Sequence, residues 1–418
     1  MLKVWNSETQ GMKERNILIV ISHLFIIIMF ITVHIYLFKL HTVNTVDKVL
    51  VPHNHSEINH SVTEDSSTLS EETAVEEKLL SLVHSGQENH QARELAWKES
   101  LKSCQQNNHT SQVHCAFDLE MKRRRNLMEK ECDEQKELFD EEENKINTHK
   151  LYVLAKRRLI WCPVFKAAST NWLKNIPSLS GLSSQYIERL VAKKRQPNIL
   201  ARAIVPHISR ENLIIFLNTK PTPTSFIIVR HPFDRLLSAY RDKLEKYRGY
   251  YFRMYGKNMA KKFREQGIAR FGKDFYDTQG QNGSPISVKG RSGREPTFWE
   301  FVTAVLEDGI MDEHWEPMVS LCSVCGMSYD YVLRFEQLEE EEKYFLQRLG
   351  LQGLVVQRWE NRNHAGPVTH HIRQVYFNML SVKEVLDLHM IYQMDFKVFG
   401  YELDPVYLPN VTNIQITR

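Results

Sequence analysis

Two short clusters in this chain combine residue types suited to gripping phosphate-like anions. The first is Phe165-Lys166-Ala167-Ala168-Ser169-Thr170-Asn171-Trp172, placed between an apolar run and a helical pattern. Backbone N–H groups at a helix start form an anion site, and a lysine and hydroxyls beside them add donors. This is the logic of a P-loop without its glycines, since no Gly-x-x-x-x-Gly-Lys precedes the helix. The second cluster is Arg230-His231-Pro232-Phe233-Asp234-Arg235-Leu236-Leu237-Ser238, continuing through Ala239, Tyr240, Arg241, Asp242 and Lys243. Arg230 closes an apolar run, and Pro232 opens a helix where a missing N–H costs nothing. Ser238 falls two turns later, so Arg230 and Ser238 could clamp one phosphate. Taken singly, a lysine at a helix start can be merely solvated, and basic residues can simply line an amphipathic helix.

The elements that must carry these clusters are legible as short apolar runs followed by helical patterns. Arg158 to Phe165, Ser225 to Arg230 and Asp330 to Glu336 read as strands, and helices are expected from Thr170, from Pro232 and over Gln337 to Leu349. Strand–helix alternation predicts an α/β domain with a central parallel sheet, spanning residues 151–408 and followed by a tail, 409–418. The composition, 42% hydrophobic and 25% charged, excludes a collagen-like or wholly disordered chain. A net charge of +3 is too even to point to nucleic acid.

The N-terminal part is different. Ile17 to Phe38 is almost unbroken apolar sequence, long enough as a helix to cross a hydrocarbon core of about 30 Å. It ends in Tyr36-Leu37-Phe38-Lys39 without a small-residue cleavage site, which favours a retained anchor over a removed signal. Lys3, Lys13 and Arg15 precede it closely, so residues 1–16 are expected in the cytoplasm and the remainder outside, a type II arrangement. Residues 39–150 read as a polar, flexible stem, with a charged solvated helix over 117–149. Sequons begin at Asn54, Asn59, Asn108 and Asn410; Asn282-Gly283-Ser284 is followed by Pro285 and is a poorer acceptor. Six cysteines, at 104, 115, 132, 162, 322 and 325, permit three disulfides in any of 15 pairings. Cys322 and Cys325 also have half the spacing of a zinc site, but no second pair accompanies them, so no metal is expected.

Together the two clusters resemble the 5′-phosphosulfate and 3′-phosphate loops of the Golgi carbohydrate sulfotransferases, in the branch of chondroitin, dermatan and N-acetylgalactosamine 4-O-sulfotransferases and glucuronyl sulfotransferases. Met311-Asp312-Glu313-His314-Trp315-Glu316, Leu321-Cys322-Ser323-Val324-Cys325 and Tyr329 to Glu336 add to the resemblance, which runs over about Tyr152 to Tyr401. It implies a P-loop-like sulfotransferase domain using 3′-phosphoadenosine-5′-phosphosulfate, with a glycan as acceptor and the Golgi membrane as location. Lys166 to Asn171 would then hold the 5′-phosphosulfate, and Arg230 with Ser238 the 3′-phosphate. A sugar hydroxyl also needs a base. His207, lying between the loops where related glycan sulfotransferases place a functional histidine, is the first candidate; His314 is the second and Glu316 a third. Three positions depart from the family pattern: Phe165 stands where relatives usually have proline, Ser169 where they often have cysteine, and His231 where an acidic residue is common. From Arg230 to Glu300 there are sixteen Lys and Arg against eight Asp and Glu, a basic surface suited to a polyanionic glycan such as chondroitin. The Gly-rich stretch Gly272 to Pro296 is expected to form a flap over the acceptor. The rival readings are a membrane-tethered glycan-binding protein with a non-catalytic domain and a lumenal glycan kinase.

Overall fold

The computed structural model describes residues 102, 104, 109–135, 146–191, 196–246, 249–277, 293–356 and 370–409. The apolar run 17–38, the five sequons, the centre of the 272–296 stretch and the tail from 410 lie outside these residues. Among the described residues no helix is long and apolar enough to cross a membrane.

Four strands form one sheet in the order β1 (Tyr152–Leu154), β2 (Leu159–Cys162), β3 (Thr224–Val229), β4 (Tyr331–Arg334). β1 is antiparallel to β2, whereas β2, β3 and β4 are mutually parallel, so the parallel sheet carries one antiparallel edge strand. All of β2 and most of β3 are buried. Continuous apolar runs, rather than alternation, are what strands covered on both faces require. The strands are shorter than the sequence runs predict. Arg158 is left-handed (φ 51°) and closes the turn before β2, Pro163 offers no N–H to prolong it, and β4 passes into a 3₁₀ turn at Phe335–Gln337.

The principal helices are α1 (His109–Glu134), α2 (Ser169–Ser180), α3 (Pro232–Lys243), α4 (Lys257–Phe271), α5 (Phe298–Asp308), α6 (Leu338–Arg348), α7 (His370–Phe377) and α8 (Val382–Phe399). A short helix, Gly249–Tyr251, leads through a π-helical turn, Phe252–Gly256, into α4. α5 and α8 begin with reciprocal caps, Thr297 with Glu300 and Ser381 with Glu384. Such a cap satisfies first-turn donors that would otherwise lack partners. One apolar core centres on Phe226, whose ring lies 4.6 Å from that of Trp172 and 4.7 Å from that of Phe345. A second joins α3, α5, α7 and α8 around Phe233, Tyr240, Phe298 and Trp315.

The charged helix differs from expectation in place and in surroundings. It starts at His109 rather than Phe117, and it is not solvated all round. Arg124 is 4% exposed and donates to both carboxylate oxygens of Glu341 (2.7 and 2.9 Å) and to the Val332 carbonyl on β4 (2.8 Å). Burial would raise the Glu120 carboxyl, but Arg123 and Arg124 together draw it down to about 2. Disulfides Cys104–Cys115, Cys132–Cys325 and Cys162–Cys322 select one pairing, and Cys322 and Cys325 bond to different partners.

Because Glu341 is 1% exposed, Arg124→Ala leaves a buried carboxylate without its partner and is expected to lower stability by about 3–5 kcal/mol. Lys122→Ala on the exposed side should stay within about 0.5 kcal/mol. Urea unfolding of the disulfide-intact protein measures both, and equal effects would contradict the burial of Arg124.

Candidate active site

Parallel pairing of β2 with β3 brings the ends of both strands, and therefore both clusters, to the same edge of the sheet. The loop after β2 turns without glycine: Lys166 (φ 71°) and Ala168 (φ 60°) are both left-handed. Residues from the second cluster hold it. Arg230 donates from Nη1 to the Lys166 carbonyl (2.9 Å), and Arg235 donates from Nε to the Phe165 carbonyl (3.0 Å). Alternation of left- and right-handed residues gathers backbone N–H groups into an anion-binding concavity. α2 starts immediately beyond, and Ala168 at its N-cap supplies no side-chain acceptor. Lys166 Nζ rests on Asp242 (3.1 Å), which Lys243 also contacts (3.2 Å). Burial lowers the Lys166 ammonium pKa, Asp242 opposes that shift, and Lys243 and Arg230 add to it.

Within the second cluster the side chains divide by destination. Arg230 is 8% exposed, its guanidinium lies 4.5 Å from the centre of the Phe335 ring, and its Nε is buried without a hydrogen-bond partner. Ser238 is also buried, on α3. The His231 ring turns instead toward the C-terminal segment, stacking on Tyr407 (4.7 Å) with Nε2 at the Glu402 carbonyl (2.9 Å). Burial lowers its pKa, against the opposing pull of Asp234 and Glu336. Phe233, Leu236 and Leu237 fill the helical core, and Pro232 is buried as well. Asp234 accepts from Arg373 (2.7 Å) and from the Tyr407 hydroxyl (2.9 Å). Within this run, then, the side chains of His231, Phe233, Asp234, Leu236 and Leu237 are engaged by the protein itself. In the first cluster Ala167 and Ser169 are buried, while Phe165, Thr170 and Asn171 are partly exposed.

Beside the first loop opens a cleft of about 640 Å3, walled by His149, Lys150, Tyr152, Phe165, Arg202, His207 and Glu313 among others. His207 is exposed, with the His149 ring 4.9 Å away. Partial burial, Arg202 and His149 all lower its pKa. Lys150 and Glu313 pair across the wall (2.9 Å). His314 lies on the other side of Glu313 in sequence, 6% exposed, with its ring 4.6 Å from that of Phe165. Its Nδ1 is 2.7 Å from Asp312 Oδ1 and 3.2 Å from the Tyr251 hydroxyl. Glu316 accepts at its backbone carbonyl from Arg235 (2.5 Å), and burial raises its carboxyl pKa.

Several contributors escape the sequence reading. Asp242 had a usable signal, because Arg235, Ser238 and Asp242 share one helical face at i, i+3 and i+7. Asp312 and Glu313 stood within the segment Met311 to Glu316 that adds to the family resemblance. Tyr251, His149 and Arg202 had none: no local pattern marks them, and only the folded cleft and the His314 contact bring them to the site.

The Sulfotransferase family matches residues 149–402. Mouse carbohydrate sulfotransferase 8 is 29% identical over 255 residues, covering 60% of this chain and 56% of that protein. Zebrafish carbohydrate sulfotransferase 14 is 29% identical over 260 residues, 62% of each chain. Mouse carbohydrate sulfotransferase 11 is 27% identical over 264 residues, 62% of this chain and 68% of its own. This chain thus spans less than two thirds of the first two relatives. No solved structure matches. The matched span takes in more than half of the residues and contains both loops, their supporting arginines and the cleft, and the chain belongs to the sulfotransferase family.

Proposed function

We propose that this protein is a carbohydrate sulfotransferase that moves a sulfuryl group from 3′-phosphoadenosine-5′-phosphosulfate to a glycan hydroxyl. The observation that carries the reading is the docking of the two clusters, in which Arg230 grips the carbonyl of Lys166 while keeping a buried Nε without an acceptor. An unpartnered buried donor of a cation is costly, and an anion oxygen is its natural complement. The Lys166 to Asn171 loop and the α2 N-terminus fit the 5′-phosphosulfate, and Arg230 with Ser238 fits the 3′-phosphate. When bound, the donor supplies an activated sulfuryl group and a phosphate leaving group. Lys166, held by Asp242 here, would supply positive charge to that leaving oxygen as it gains negative charge, which would lower the barrier selectively.

The cleft at Phe165 is the acceptor side, and His207 and Arg202 are placed there to orient a sugar. The acceptor proposed is the 4-position of N-acetylgalactosamine in chondroitin- or dermatan-type glycans, and the setting a Golgi membrane reached through a type II anchor at residues 17–38. The relatives' names as carbohydrate sulfotransferases support the acceptor class, and the basic balance from Arg230 to Glu300 supports a polyanion. A non-catalytic glycan-binding role is less well supported, because Lys166, Arg230 and Ser238 are all retained.

Incubating the full-length chain with radiolabelled donor and a panel of desulfated glycans, followed by disaccharide analysis, tests reaction and position together. Label on desulfated chondroitin at the 4-position is the expected result; label on none of the glycans contradicts the reading. Lys166→Ala is expected to lower kcat by at least about a hundredfold, the usual scale for losing one stabiliser of developing charge. Arg230→Ala should weaken binding of adenosine 3′,5′-bisphosphate by at least about thirtyfold, as for other buried charge partners, measured by calorimetry.

A further inference from the structure

We infer that His314 is the base that takes the acceptor's proton, and that Asp312 positions it. This rests on the sulfuryl-transfer reading above and assigns a role within that site. The His314 ring packs on Phe165, the residue adjoining Lys166 in the donor loop. Asp312 Oδ1 receives the backbone N–H of His314 (3.0 Å) and lies 2.7 Å from its Nδ1. A carboxylate that holds Nδ1–H leaves the lone pair on Nε2, the tautomer a general base needs. The Tyr255 hydroxyl donates to Asp312 Oδ2 (3.3 Å) from the π-helical turn before α4, and the Tyr251 hydroxyl lies 3.2 Å from Nδ1 at the end of the short helix that precedes that turn.

The same turn is locked to the donor loop. Arg235, 1% exposed, donates to the carbonyls of Phe165, Glu313 (3.1 Å) and Glu316, so one guanidinium sets the His314 turn and the loop against each other. His207 is exposed: desolvation, Arg202 and the His149 ring weaken its hold on a proton, and only a backbone hydrogen bond with His149 opposes them. The charged and titratable groups facing His314 are Asp312 and Glu313 from its own turn, Lys243 from the end of α3 and Tyr251 from the short helix before the π-helical turn. Burial and Lys243 disfavour the imidazolium, Asp312 and Glu313 favour it, and on balance the pKa is lowered.

In the step assigned, the acceptor oxygen forms its bond to sulfur while its proton passes to His314 Nε2. The bond from sulfur to the 5′-phosphate oxygen breaks, and its electron pair leaves with adenosine 3′,5′-bisphosphate. His314 then gives the proton to water.

The test compares His314→Gln, Asp312→Asn and His207→Ala in the full-length chain, with desulfated chondroitin as acceptor. His314→Gln is expected to keep affinity for adenosine 3′,5′-bisphosphate within about twofold and to lose at least about a hundredfold in kcat, the range of general-base catalysis. Asp312→Asn should lose at least about tenfold in kcat, and, with the group that favours the imidazolium gone, its acidic limb should move to lower pH. His207→Ala should raise the acceptor KM more than it lowers kcat. A His314→Gln enzyme with kcat within about threefold of wild type overturns the assignment, because a missing base costs far more. So does loss of nucleotide binding in that variant, which would make His314 a support of the loop, and so does an unmoved limb in Asp312→Asn. A wild-type chain that transfers no sulfate overturns the sulfotransferase reading itself, and this assignment with it.

Discussion

The site depends on a buried cation whose nearest partners are carbonyl dipoles rather than a carboxylate. Arg235 sits in the core of the domain and spends its donors on the carbonyls of Phe165, Glu313 and Glu316. Desolvation lowers its pKa, and the more distant Asp395 opposes that shift. Asp395 is itself buried and raised to about 6, with two backbone N–H groups, of Met318 and Val319, holding it against that burial. A charge so enclosed needs all of its donors satisfied. That requirement fixes the relative position of two loops whose residues lie far apart in the chain.

The loop after β2 shows how such support substitutes for glycine. Two left-handed L-residues, Lys166 and Ala168, cost about 1–2 kcal/mol each. Two hydrogen bonds from arginines, each worth about 1.5–3 kcal/mol, are enough to offset this. The strained conformation is therefore maintained by tertiary contacts from β3 and α3, and the backbone amides it exposes are available only while those contacts persist. Phe165 gains a further use from this geometry, as the surface on which His314 packs.

The domain extends beyond the span recognised by family. The match begins at residue 149, yet α1 lies before it and is fastened to the sheet by Arg124 and to the segment after β3 by Cys132–Cys325. Cys162–Cys322 ties the end of β2, directly before the Lys166 loop, to the segment that carries Asp312 and His314. Covalent and ionic fastenings thus converge on the elements that hold the two loops.

Much was legible without tertiary information, for local reasons. The short apolar runs from Arg158 to Phe165 and from Ser225 to Arg230 announce buried strands, though not where β2 stops, and Pro232 announces the start of α3. What local pattern could not reveal is where a side chain ends up when several destinations are open to it. His231 and Asp234 share a motif with Arg230 but turn to Tyr407 and Arg373; Arg124 belongs to a run that reads as solvated but is buried against Glu341. Sequence alone determined the alternation of strand and helix and the residue types gathered in the two clusters, because both are local properties of the chain. Only the folded structure decided the cysteine pairing, the clamp by Arg235 and the meeting of Tyr251, Asp312 and His314 at Phe165, because each depends on groups that nothing in the chain brings together until the core has formed.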